Sequence, residues 1–109
     1  MTFEEARAII EFEASEGVAY TSRHGVYPAR PRVEEILEAL RTIHRELKGQ
    51  TVIDRKLAAL LFVISDQVQG NMGGALARGI PISEEFSTLS FYEINDLILA
   101  IFEDWDEAK

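Results

Sequence analysis

The chain has 109 residues, enough for one hydrophobic core and too few for two, and its 47% hydrophobic and 28% charged residues are the make-up of a globular protein. It has no cysteine, which excludes disulfides, thiolate metal sites and cysteine nucleophiles. Nineteen acidic against eleven basic residues give a net charge of −8, which repels nucleic-acid backbones and anionic membranes, so neither is an expected partner.

The start, MTFEEARAII, has glutamates where a secretory signal would carry lysines, so the expected compartment is the cytoplasm. No apolar run approaches the ~20 residues needed to cross a bilayer. The acids concentrate in residues 1–16 and 91–109, whereas residues 17–32 hold Arg23, Arg30 and Arg32 and no acid.

Thr2 and Glu5 have the spacing of a capping box, which predicts a first helix over 3–15 that stops before Gly17. Its apolar face carries Phe3, Ala6, Ile9 and Ile10, with Glu13 set among them as a local inconsistency. Residues 17–31 show no sustained period and contain two glycines and two prolines, so a long loop is expected there, with a short extended piece near 17–21. Pro31 suits the first turn of the next helix.

That helix, over 32–48, has the clearest amphipathic spacing: Val33, Ile36, Leu37, Leu40, Ile43 and Leu47. Glu34 and Glu35 at its start and Arg41, Arg45 and Lys48 at its end suit the helix dipole, and Gly49 suits a left-handed cap. Thr51 and Asp54 resemble a capping box for a third helix over 52–69, which would make the second and third helices an antiparallel or steeply crossed pair. The third helix is apolar on every side around Leu57–Ile64, and a helix of that kind is expected to be surrounded by others.

Three glycines in GNMGG then predict a break, at a cost of roughly 1 kcal/mol each, followed by a short helical piece near 75–78 and a turn capped by Ser83. Ser90 and Glu93 have the capping-box spacing once more, predicting a last helix over 91–105 with Phe91, Ile94, Ile98, Ile101 and Trp105 on its core face, widened by Leu97 and Phe102. The expected fold is therefore all-α: a single domain, 1–109, forming a compact bundle of about four main helices around a central apolar helix (52–69), with short helical turns between 70 and 90.

The sequence contains no H-E-x-x-H, EF-hand, G-x-S-x-G or nucleotide-binding glycine pattern, so no catalytic residue, metal site or cofactor is expected. Three groupings stand out. Tyr92, Asp96, Leu99 and Glu103 recur at spacings of four, three and four on the polar side of the last helix, with Glu93, Asp104, Asp106 and Glu107 near them. An aromatic and a leucine among acids is the composition of a protein-binding stripe that selects a basic partner; the ordinary reading is a solvated helix face or a second buried side.

Tyr20, Arg23, His24, Tyr27 and Arg30 form a basic loop able to gather round an anion, or to fold back onto the protein's own acidic helices. Glu13 and His44 both lie on apolar stripes and would form a buried polar pair if those faces meet. Small, acidic, cysteine-free and helical, the chain resembles bacterial immunity and antitoxin proteins in general profile only. The functional expectation is a cytoplasmic module that occupies a basic protein partner. The alternatives are a small enzyme or anion-binding protein using residues 20–32, and an obligate homo-oligomer with Tyr92 and Leu99 as subunit contacts.

Overall fold

The computed structural model describes residues 1–103, with Thr88 described by its backbone alone. Helix α1 spans Phe3–Ser15, and its capping box forms as the spacing predicts: Glu5 N–H donates to Thr2 Oγ1 at 3.1 Å and Thr2 N–H to Glu5 Oε1 at 2.8 Å. The segment expected to be loop is instead mostly helical. A single turn, α2 (Val18–Thr21), runs into a 3₁₀ turn at Ser22–His24 and ends at Gly25, whose φ of 74° is the left-handed conformation that glycine adopts without strain. Buried Val18 and Ala19 fix α2 against its neighbours, which periodicity in so short a stretch does not reveal.

Helix α3 spans Arg30–Leu47 with Pro31 in its first turn, and Gly49 follows its end at φ 80°. Helix α4 spans Arg55–Ala77 and is capped by Asp54, whose carboxylate accepts from Leu57 N–H at 3.0 Å, so Thr51 lies outside the helix. The expected break at the glycines does not occur. Val68, Met72 and Ala75 continue the buried face through them, and Asn71 donates to Ala19 O at 3.2 Å and to Ser22 Oγ at 2.9 Å. Burial of this face offsets a glycine cost of roughly 1 kcal/mol each.

A turn held by Ser83, which accepts from Phe86 N–H at 3.3 Å, leads into α5 (Ser87–Glu103). Ser90 lies inside this helix and is not its cap. Asp104, Trp105, Asp106 and Glu107 lie outside the described residues.

Among the described residues all six elements, five α-helices and the 3₁₀ turn, are helical, and the four long helices form a bundle. Helices α1 and α5 each pack against both α3 and α4, so α3 and α4, which run antiparallel, occupy opposite corners and do not pack side by side as their short connection suggests. The Glu13–Arg32 ion pair joins the end of α1 to the start of α3, which makes those two antiparallel. Arg7–Asp54 and Glu11–Lys56 align α1 with α4, and Arg30–Glu93 aligns α3 with α5.

One core fills the interior, with Ile10 from α1, Ile36, Leu40 and Ile43 from α3, Leu57, Leu61 and Ile64 from α4, and Ile94 and Ile98 from α5. Helix α4 supplies a full share of it without being enclosed: Leu57, Leu61, Ile64, Val68 and Met72 point inward, while Ala59 and Phe62 point outward, Phe62 being 62% exposed. Its unbroken apolar run thus carries two surfaces, one for the core and one facing solvent.

Candidate functional site

The outward side of α4 and α5 carries a line of exposed apolar side chains. Ser65 of α4 donates to Asn95 of α5, which fixes the register between the two helices. Phe62 lies one turn before Ser65 and Leu99 one turn after Asn95, so in antiparallel helices they flank the same level of the groove. Phe102 continues the line toward the end of α5, where it shares a hollow of about 80 Å³ with Leu47, Val52, Ile53 and Ile101. Tyr92 extends it the other way.

The exposures are large for such residues: Tyr92 is 59% exposed and Leu99 38%, with Val52 and Phe102 also exposed. Asp66, one turn beyond Phe62, borders the strip on the α4 side, and Asp96 and Glu103 border it on the α5 side, all three exposed. Between residues 57 and 77 Asp66 is the one charged side chain, and α5 contains acids and no base. The stripe Tyr92, Asp96, Leu99 and Glu103 is therefore the outer edge of a wider face. Phe62 reads as core because it stands in an apolar run, and Phe102 because it flanks the core stripe of the last helix, yet both are exposed.

The basic loop is split in two by the fold. Tyr20, Arg23 and His24 face outward on one side, with the Tyr20 and His24 rings 5.6 Å apart in a T-shaped contact. Tyr27 turns inward and stacks on Phe86 at 5.0 Å, and burial pushes its phenol pKa up. Arg30 is held by Glu93 at 2.9 Å and Glu34 at 2.7 Å, and it also donates to Ser90 Oγ at 3.2 Å.

Ser90 and Glu93 are thus spaced to grip Arg30 from one face of α5, and that spacing is what resembles a capping box in the sequence. The hydrogen bonds from Arg30 hold the Glu93 carboxyl below the usual carboxylate range, and those to Glu93 and then Glu34 raise the Arg30 pKa. Arg30 and Tyr27 are structural, and they do not join Arg23 around a common ligand.

Glu13 and His44 are both buried, at 2% and 6% exposure, but they do not pair. The Glu13 carboxylate accepts from Arg32 Nε and from Val18 N–H, each at 2.8 Å. His44 lies twelve residues farther along α3 than Arg32, about 18 Å away at the helical rise. The antiparallel packing of α1 on α3 brings the end of one to the start of the other, which gives Glu13 an arginine where the sequence suggested a histidine. The Arg32 guanidinium also lies over the Phe12 ring, 5.8 Å from its centroid.

Among the described residues no three His, Asp or Glu side chains converge to hold a metal ion, and no helix is long and apolar enough to cross a membrane. Comparison with protein-family models, with curated proteins and with solved structures finds no match, so the functional reading rests on this geometry.

Proposed function

We propose that the protein is a cytoplasmic binding module that receives a basic amphipathic helix of another protein on the α4–α5 face. The observation that carries this reading is the exposed strip Val52, Phe102, Leu99, Phe62 and Tyr92, bordered by Asp66, Asp96 and Glu103. A run of exposed apolar side chains costs solubility unless something covers it. The trough between two antiparallel helices accepts a third helix by its apolar ridge, and the hollow beside Phe102 accepts one side chain of it. Acids on both borders select lysines and arginines flanking that ridge and speed its approach. A second copy of this chain is disfavoured, because face-to-face pairing would set these acids against one another.

The test uses two baits, the wild-type protein and Asp96→Lys/Glu103→Lys, to capture partners, followed by binding kinetics on any basic protein retained by the first alone. Charge reversal should slow association strongly at low salt and weakly at high salt. Tyr92→Ala should act mainly through faster dissociation. Equal capture on both baits, or sedimentation showing a homodimer that buries this face, would rule the reading out.

A further inference from the structure

A second site lies on the other flank of α4. Ala14 and Ser15 at the end of α1, Ala19 and Tyr20 of α2, Arg23, and Val63 and Gln67 of α4 enclose a groove of about 300 Å³. Ala14, Ala19 and Val63 form a small apolar floor, and the larger, polar part of its lining includes donors: the Arg23 guanidinium, the Gln67 amide and the Tyr20 phenol. No acid lines it.

Arg7, Arg30, Arg32 and Lys56, in contrast to Arg23, each hold a carboxylate. Among the described residues no carboxylate comes within ion-pair distance of Arg23. Its one hydrogen bond is a long one, from Nη2 to Gln67 Oε1 at 3.4 Å, and that contact leaves most of the guanidinium donors and the whole Gln67 amino group available.

We infer that this groove binds a small organic carboxylate. Two parallel N–H groups of Arg23 match the two oxygens of a planar carboxylate, which a point charge such as lysine would not do. The Gln67 amide and the Tyr20 hydroxyl supply further donors, and the edge contact from His24 supports the Tyr20 ring. The alanine and valine floor suits a short apolar body, and the volume is at the lower end of the range for small-molecule sites. Val63 and Gln67 face α1 and α2 whereas Phe62 faces α5, so this site and the protein-binding face can be filled at once, and each is tested without the other.

The experiment is an amide-resolved NMR titration of the intact chain at fixed ionic strength, with benzoate, isobutyrate and inorganic phosphate as probes. Benzoate should give saturable shifts in residues 14–23 and 63–67 with a roughly millimolar dissociation constant, the affinity such a small ligand reaches. Arg23→Gln should weaken it about tenfold or more, and Tyr20→Phe by a smaller factor. Arg23 is exposed, so the variant should keep the wild-type spectrum elsewhere. Unsaturable shifts, unchanged binding in Arg23→Gln, or phosphate binding as tightly as both carboxylates would overturn the inference.

Discussion

Removing Arg32 should expose how much the bundle depends on one ion pair. The Glu13 carboxylate is 2% exposed and has two donors, Arg32 Nε and Val18 N–H. Arg32→Ala leaves a buried charge with a single hydrogen bond, a change that costs about 3 to 5 kcal/mol when both partners are enclosed. The Arg32 side chain is 32% exposed, so water partly replaces it, and the lower end, about 3 kcal/mol, is expected. Glu13→Ala should cost about 2 to 3 kcal/mol, mainly because the buried Val18 N–H loses its acceptor. Because the two residues share one interaction, the double variant should cost less than the sum by about 1 to 3 kcal/mol. Urea unfolding followed by circular dichroism at neutral pH, with an unchanged m-value, measures all three. An Arg32→Ala loss under about 1 kcal/mol, or strict additivity, would refute the assignment of the pair as the joint between α1 and α3.

Leu61→Ala should destabilise by about 2 to 5 kcal/mol in the same assay, because it empties a fully buried position, and Leu60→Ala by less, because Leu60 is only partly buried. Gly70→Ala and Gly73→Ala should each stabilise by up to about 1 kcal/mol in thermal or urea unfolding, since an added Cβ meets nothing within 4 Å and the backbone there is helical. Stability should fall in acid: hydrogen bonds from Arg30 lower the Glu93 pKa, the Leu57 N–H lowers that of Asp54, and Thr2 lowers that of Glu5. Carboxylates lowered in the folded state stabilise it above their ordinary values of 4.5 for Glu and 3.8 for Asp and lose that contribution as pH drops through the folded values. Glu93→Gln should therefore flatten the acid limb of a stability profile.

The long helices were legible because each buries one face and so repeats its apolar residues. The capping box at Thr2 fixed the start of α1 to the residue, and Gly49 marked the end of α3. Two features of the sequence misled. The glycines after Val68 argue against a helix by local propensity, but packing of Met72 and Ala75 decides otherwise. The apolar run Leu57–Ile64 argues for an enclosed helix, whereas the four-cornered arrangement leaves one side of every helix outward.

Of the candidate residues, the exposed face of α5 followed from spacing alone. The groove around Arg23 did not, because Ala14, Val63 and Gln67 come from helices that sequence cannot place side by side. Glu13 was marked by its conflict with its neighbours, but only the packing direction of α1 on α3 identifies Arg32 as its partner.

The diagonal placement of α3 and α4 bears on how the chain assembles. Residues 1–47 close α1 on α3, and residues 55–103 close α4 on α5, each from contacts between elements in one half of the chain. The remaining core forms where the two halves meet, α1 against α4 and α3 against α5. The connection over 48–54, which passes under the end of α5 beside Ile101 and Phe102, is then a tether that sets the effective concentration of one half for the other. Lengthening it at Gln50 and Thr51, ahead of the packed Ile53 and the Asp54 cap, tunes docking while keeping those contacts, and a chain severed there retains two complementary helix pairs.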